Sequence, residues 1–133
     1  MRIFLILLVC NLAAPSTAKD LAEMANVLHT GQWGWVEGRN TCSKNPHEIR
    51  FTQDLSEMII SWDKIHDPAS YSILYADTNS FTSIIQGEKR KTKLGDLVIW
   101  QLKMRNTSTY CWRRTDWPAD ACTPDVVQCV GNS

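Results

Sequence analysis

The sequence has no excess of charge of either sign. It contains 14 Lys and Arg residues and 14 Asp and Glu residues, so its formal net charge at pH 7 is +0. Proteins that bind nucleic acid through the phosphate backbone normally carry a strong basic excess. The composition therefore argues against a general nucleic-acid-binding function.

The sequence also lacks the short motifs of common catalytic sites. It has no G-x-S-x-G, no H-E-x-x-H and no glycine-rich phosphate-binding loop. Its acidic residues are scattered, so no carboxylate pair can be assigned to glycoside hydrolysis. With three histidines and no C-x-x-C, metal-ligand spacing is missing as well. We expect a non-catalytic protein without a metal or a cofactor.

Only the N-terminus carries a long apolar run, and this run is too short to span a bilayer. Arg2 precedes an apolar stretch from Ile3 to Cys10, and small residues follow up to Ala18. This is the layout of a secretory signal peptide with a small-x-small cleavage site. We predict a signal peptide over residues 1–18 and one exported domain, periplasmic or secreted, over residues 19–133. No stable membrane insertion is expected.

Four cysteines remain after the predicted cleavage: Cys42, Cys111, Cys122 and Cys129. In a small exported domain, an even number of cysteines indicates disulfides, here two with three possible pairings. If the chain turns back around residues 119–120, Cys111 comes opposite Cys129 and Cys42 is left to meet Cys122. We predict that pairing.

A short amphipathic helix is predicted over residues 19–28. Its apolar residues recur at i, i+3, i+4 and i+7, the spacing of one helical face: Leu21, Met24, Ala25 and Leu28. Gly31 follows and ends the pattern.

The rest of the chain is typical of short strands. Apolar and polar residues alternate over 48–52, 58–62, 71–75, 81–86, 97–104 and 109–114, with polar turns between them. One helix cannot cover both faces of such a sheet, so closure into a barrel is the simplest way to bury the apolar face and remove the edges. We predict an all-β fold, an antiparallel up-and-down meander closed into a small barrel of seven or eight strands with one short N-terminal helix.

Gly31-Gln32-Trp33 follows the helix and opens the first strand, and it resembles the G-x-W that begins lipocalin barrels. The resemblance implies a lipocalin-like small barrel in which Trp33 seals one end. It also implies that an arginine of a late strand, Arg113 or Arg114, packs across this tryptophan. The segment Cys111–Pro118 is similar to the Cys-Trp-x-Arg-Thr-Asp-Trp-Pro segment that ends small exported bacterial proteins.

A small barrel has a mouth through which a ligand can enter. We predict a monomeric binding protein that holds a small apolar or amphipathic ligand. The predicted lining residues face inward from the strands: Phe51, Met58, Ile60, Trp62, Ile73, Tyr75, Trp100 and Leu102. The competing interpretation is a barrel filled by its own side chains.

The segment Tyr110–Cys122 concentrates aromatic and charged residues. In one interpretation Trp112, Arg114 and Trp117 form a surface that stacks on, or pairs with, a flat or anionic ligand. In the other, which we favour, the segment is framework. Trp112 then lies in the core, one arginine covers Trp33, and Asp116 pairs with the other arginine or caps the turn.

His47 is a further surface candidate, because it follows a proline turn near Cys42. A histidine there could bind a metal or move protons near neutral pH. The favoured alternative is a loop residue hydrogen-bonded to the backbone. His66 lies at a predicted turn, and the pattern assigns it no partner.

Two protein-binding or surface-binding alternatives stay open. A small exported barrel with an arm ahead of its G-x-W resembles periplasmic inhibitors of secreted proteases, and the implied arm is residues 19–28. The charge run Glu88–Lys93 could instead contact an acidic partner or anionic lipid head groups, as in an envelope interaction protein. Such a run more often serves solubility and edge protection.

Overall fold

The computed structural model describes residues 16–65 and 67–130. In these residues a helix, α1 (Ser16–Leu28), is followed by eight strands: β1 (Trp33–Trp35), β2 (His47–Phe51), β3 (Glu57–Trp62), β4 (Ala69–Asp77), β5 (Ser80–Ile85), β6 (Trp100–Asn106), β7 (Thr109–Arg114) and β8 (Val126–Gln128). Each strand pairs antiparallel with the next, and β8 pairs with β1, so the sheet closes into a barrel. The predicted all-β barrel with one short helix is confirmed, with eight strands. Most of the predicted signal peptide, and His66, lie outside the described residues.

The middle of the barrel is filled by side chains of its own strands. Ile49 of β2 lies opposite Ile60 of β3, and both are at most 2% exposed. Phe81 of β5 lies opposite Leu102 of β6, and both are fully buried. Alternation along each strand sends these residues inward, where they fill the space that a ligand inside the barrel would need.

Helix α1 covers one end of the barrel, which we call the helix end. Its predicted apolar face is buried as a continuous stripe: Leu21, Met24, Ala25 and Leu28. The helix lies against β2, β4 and β5, beside the turns that join β2 to β3 and β4 to β5. Fully burying a leucine or methionine side chain stabilises the folded protein by about 1.5–3 kcal/mol. The apolar spacing of α1 is therefore explained by packing on the barrel.

Trp33 links the helix to the barrel. The fully buried indole donates a hydrogen bond from Nε1 to the Leu28 carbonyl oxygen, 2.9 Å away. The ring that packs on it is Tyr110, with 5.3 Å between centroids, and not the expected arginine. Arg113 and Arg114 instead make their hydrogen bonds around the turn after β7. The predicted arginine cover of Trp33 is wrong, because a buried aromatic side chain of β7 already fills that position.

A β-bulge changes the inward-facing positions of β4. Ile73 pairs with Ser83, but the next pair is Tyr75 with Thr82, so one extra residue stands in β4. After the bulge Ala76 points inward and is 3% exposed, whereas Tyr75 is 58% exposed. The predicted inward position of Tyr75 is therefore wrong, since the extra residue reverses the alternation.

Two disulfides are present, Cys42–Cys129 and Cys111–Cys122. The four predicted cysteines are thus all oxidised, which fits an oxidising, exported environment. The predicted pairing of Cys111 with Cys129 and Cys42 with Cys122 is wrong. No helix in the described part of the chain is long and apolar enough to cross a membrane.

The register of β8 explains the observed pairing. Tyr110 pairs with Val126, so the returning chain lies beside β7 several residues earlier than we predicted. Cys122 is then within reach of Cys111. Cys129 has already passed the start of β7 and lies beside β1, where its N–H donates to the Gln32 carbonyl oxygen at 2.7 Å.

Strand β1 is short and is held closely by the Cys42–Cys129 disulfide. A single residue pair, Trp33 with His47, joins β1 to β2. A Cβ atom at Gly34 would lie 2.3 Å from the backbone nitrogen of Cys42. Only glycine therefore lets the cysteine loop pass directly over β1.

Candidate functional site

An open pocket lies at the end of the barrel opposite α1. We call this end the aromatic end and the pocket the aromatic pocket. Its volume is about 210 Å³, and residues from five strands and two connections line it: Trp35, Tyr71, Ile85, Arg90, Trp100, Trp112 and Thr123. Antiparallel alternation brings the last residues of some strands and the first residues of others to the same rim. The aromatic pocket is thus built by the barrel itself.

The floor of the aromatic pocket is a packed set of rings. Tyr71 and Trp112 stack with centroids 5.2 Å apart and planes 19° apart. Trp100 meets Trp112 edge-on at 6.2 Å. Trp112 is 6% exposed, so its predicted place on the surface is wrong and its predicted place in the core is confirmed. Interlocked rings of this kind hold one another in place, which gives the pocket a preformed shape.

Arg90 reaches the pocket because the connection between β5 and β6 folds back on itself. We call residues 88–99 the basic hairpin. The N–H of Val98 donates to the Arg90 carbonyl oxygen at 3.2 Å, and Lys91 forms a β-bridge with Leu97. This antiparallel pairing places the Arg90 guanidinium 5.2 Å from the centroid of Trp100. A guanidinium over an indole face gains ~0.5–2 kcal/mol by cation–π attraction.

Glu88 fixes the direction of this guanidinium. Arg90 Nε and Nη2 donate to the two carboxylate oxygens of Glu88 at 2.6 and 2.8 Å. These side-chain hydrogen bonds, opposed in part by desolvation, lower the pKa of Glu88 to about 2. The Glu88 side chain is 3% exposed, whereas that of Arg90 is 55% exposed. One edge of the guanidinium is therefore occupied, and the edge that carries Nη1 stays open to a ligand.

Tyr71 adds a hydroxyl to the same pocket. Burial raises the pKa of Tyr71 to about 12, although the charge of Arg90 acts in the opposite direction. The phenol therefore keeps its proton at neutral pH and can donate a hydrogen bond. With Arg90, it provides the polar groups of a pocket that is otherwise aromatic.

A larger cleft of about 1000 Å³ lies outside the barrel, next to this pocket. One side is the basic hairpin, with Lys91, Lys93 and Leu94, and the other is the turn 114–118. Trp117 stands between cleft and pocket, edge-on to Trp100 at 5.9 Å. The structure thus brings together the charge run and the aromatic segment, which lie apart in the sequence.

The turn 114–118 is held rigidly. Arg113 donates from Nε to the Pro118 carbonyl oxygen at 2.8 Å and from Nη2 to the Trp117 carbonyl oxygen. Arg114 pairs with Asp116 through two hydrogen bonds of 2.9 and 2.8 Å. The predicted pairing of Asp116 with an arginine is confirmed. Arg114 and Trp117 are partly buried, and both line the cleft.

The other predicted lining residues lie away from the aromatic pocket. Met58, Ile60 and Leu102 are in the filled middle of the barrel, and Phe51, Trp62 and Ile73 are partly buried against it. Trp100 alone among the eight predicted residues lines the aromatic pocket. Sequence alternation identified inward positions but not their height along the barrel.

His47 is buried, so its predicted place on the surface is wrong. Its side chain points inward opposite Trp33, the ring Nε2 lies 2.6 Å from the Tyr110 hydroxyl, and the residue is 2% exposed. Burial lowers the pKa of His47 to about 4, so the ring is neutral at pH 7. Its Nδ1 and the Nε1 of Trp62 have no hydrogen-bond partner in the described structure. The missed signal was its alternation with Ile49, which places both on the inner face of β2.

Five of the seven pocket residues were not among the predicted site residues: Trp35, Tyr71, Ile85, Arg90 and Thr123. Trp35 and Tyr71 were assigned to strands but not to a site, and their inward alternation was the available signal. Arg90 was read as part of a solvated charge run. The presence of Glu88 two residues earlier hinted at a fixed pair, but only the fold of the hairpin places that pair against Trp100.

Among the described residues, no group of three or more His, Cys, Asp or Glu side chains is arranged to hold a metal ion. No protein-family model, curated protein or solved structure matches the chain. The functional argument therefore rests on the geometry of the aromatic end.

Proposed function

We propose that the protein is an exported, non-catalytic binding protein whose aromatic pocket holds a small amphipathic ligand with a flat apolar body and an acidic group. One observation carries the proposal. The pocket has aromatic walls, a protonated Tyr71 hydroxyl and one open edge of the Arg90 guanidinium. Flat apolar groups suit such walls, and an arginine fork binds a carboxylate with two parallel hydrogen bonds.

The filled interior moves the proposed site from the middle of the barrel to its mouth. Leu102 and Met58 occupy the central layer with 0% exposure, so a ligand there would have to displace core side chains. At the aromatic end, a ligand would instead extend contacts that Trp100 and Trp112 already make with each other. The lipocalin-like resemblance supports the same location, since a barrel mouth is where ligands enter.

The protease-inhibitor alternative is less well supported. It needs an N-terminal arm that leaves the barrel and enters an enzyme cleft. Leu28 is fully buried, and its carbonyl oxygen accepts the Trp33 hydrogen bond. Moving the helix would expose its apolar stripe and break this bond, so we favour ligand binding.

A matched pair of probes tests the proposal. We expect 2-naphthoate to bind the oxidised protein and to change its tryptophan fluorescence, with about tenfold higher affinity than the neutral 2-naphthalenemethanol. The factor corresponds to a charge-assisted hydrogen bond worth about 1.5 kcal/mol. Isothermal titration calorimetry measures both affinities.

Charge-removing variants locate the binding site. The double variant Glu88→Gln/Arg90→Gln removes the ion pair without leaving an unpaired carboxylate, and we expect it to lose the preference for naphthoate. Arg105→Gln/Asp125→Asn is the matched control, because it removes an ion pair with a similarly exposed arginine away from the pocket. Equal affinity for both probes in the unaltered protein, or a loss of preference in the control, would contradict the proposal.

A further inference from the structure

The tip of the basic hairpin exposes a single large apolar side chain. Leu94 is 91% exposed, although a leucine has no role in forming a turn. Lys91 and Lys93 lie before it, and both are exposed. Leu97, on the returning side, is 39% exposed.

The turn that carries Leu94 is preorganised. Thr92 N–H donates to the Asp96 carbonyl oxygen at 2.8 Å, and Gly95 N–H donates to the Thr92 carbonyl oxygen at 3.0 Å. The Asp96 N–H also donates to the Thr92 hydroxyl oxygen at 3.3 Å. Gly95 has φ +86°, which favours glycine. Because the tip is already ordered, binding through it would cost little conformational entropy.

The charge around the tip is positive. The basic hairpin contains four cationic side chains and two carboxylates. Glu88 is taken up by its pair with Arg90 and is almost fully covered. Lys89, Lys91 and Lys93 are exposed, and Asp96 is the remaining carboxylate of this segment.

We propose that the basic hairpin docks the protein on an anionic lipid surface, with Leu94 inserted at the acyl boundary and the lysines on head-group phosphates. A membrane interface accommodates a single projecting leucine, whereas a protein partner would need a pocket shaped for that side chain. Lysine stems extend to the interface while their ammonium groups stay in water. Trp117, across the cleft, is of the residue type enriched at that depth. This docking does not depend on ligand binding in the aromatic pocket.

Vesicle cosedimentation tests the proposal. We expect the protein to bind phosphatidylglycerol-containing vesicles, not vesicles of phosphatidylcholine alone, and to be released in part by added salt. A lysine near an anionic surface contributes ~1 kcal/mol, so Lys91→Gln/Lys93→Gln should weaken binding about 30-fold. Leu94→Asp should also weaken it, since it replaces the inserting side chain with a charge.

Val130→Asp is the matched control. Val130 is 93% exposed, but no Lys or Arg lies between residues 115 and 133. All these positions are exposed, so we expect each variant to keep the unaltered urea midpoint. Equal binding to both vesicle types, or equal losses in Leu94→Asp and Val130→Asp, would overturn the proposal. So would binding of polyglutamate by a protein that ignores vesicles, which would indicate an acidic protein partner.

Discussion

The two ends of the barrel are closed in different ways. At the helix end, an apolar stripe on α1 covers the strands, and the indole N–H of Trp33 donates a hydrogen bond to a backbone carbonyl oxygen. At the aromatic end, no helix of the described residues covers the strands. Rings stack on one another there, an arginine lies on Trp100, and a pocket of about 210 Å³ stays open.

Because the two ends are closed differently, we expect the helix end to contribute mainly to stability and the aromatic end to bind a ligand. The helix end buries the apolar stripe of α1, with Leu28 fully covered, so substitutions in this stripe should affect the free energy of unfolding. The aromatic end leaves apolar surface and a guanidinium edge accessible, which adds less to stability but makes recognition of a ligand feasible. A barrel with a filled middle can thus still offer a ligand site at its aromatic end.

The largest expected effect comes from the two disulfides. They close segments with sequence separations of 87 and 11 residues. On the chain-entropy argument, removing the first lowers the free energy of unfolding by about 4–5 kcal/mol and removing the second by about 3 kcal/mol. Urea unfolding of Cys42→Ser/Cys129→Ser and Cys111→Ser/Cys122→Ser measures both.

Removing the Cys111–Cys122 disulfide also tests whether the two ends of the barrel are independent. This disulfide closes the loop that carries Trp117, so its removal should weaken naphthoate binding while amides of α1 keep their protection from hydrogen exchange. Loss of protection throughout α1 would mean that the two ends are coupled, contrary to the comparison.

The next effect concerns the helix end. Leu28→Ala should lower the free energy of unfolding by about 3 kcal/mol, because it leaves a cavity under a fully buried side chain. Glu23→Ala is the control on the exposed face of α1 and should change it by less than about 0.5 kcal/mol. Naphthoate affinity should stay the same in both variants at temperatures where they are folded. A large loss of affinity in Leu28→Ala would break the separation between the ends.

The smallest effect is a pH dependence that originates between the two ends, at His47. Its pKa is about 4 in the folded protein and 6.5 in an unfolded chain. Between these values the unfolded chain binds a proton that the folded protein does not. The free energy of unfolding therefore falls as the pH falls below 6.5, by about 2 kcal/mol at pH 5, and is fully retained above 6.5.

Urea midpoints at pH 7 and pH 5 measure this dependence. His47→Gln should be less stable at pH 7, because the Tyr110 hydroxyl loses its ring partner, but it should lose less stability between the two pH values. The carboxyl pKa values of Glu88, Asp54 and Asp116 are all lowered, so these groups act mainly at more acidic pH. If the unaltered protein and His47→Gln lost the same stability between pH 7 and pH 5, His47 would be excluded as the source of the pH dependence.

Alternation and spacing predicted much of the fold. The apolar stripe of α1 and the strand segments followed from residue order, because one buried face imposes a fixed period. The alternation predicted the wrong face of the sheet for Tyr75, because nothing in the sequence indicates the extra residue in β4. It was also not applied to His47, whose polar side chain was assigned to a loop although it shares the inner face with Ile49.

The candidate site was harder to predict than the fold. Trp100 was identified from its strand, but Arg90 reaches it only because the connection from β5 folds into its own hairpin. The disulfide pairing failed for a related reason. The register of β8 depends on how far the turn after β7 extends, and that length is set by contacts such as the Arg113 hydrogen bonds to Trp117 and Pro118.

The single residue pair between β1 and β2 has a consequence for assembly in the cell. A hydrogen-bonded ladder this short cannot by itself hold the last joint of the barrel, and the Cys42–Cys129 bond crosses over Gly34 at that joint. Without this bond we expect the joint between β1 and β2 to open more readily, which would expose strand edges that can pair with other chains. The redox state of these two cysteines would then decide how readily the barrel opens and how strongly the chain tends to aggregate.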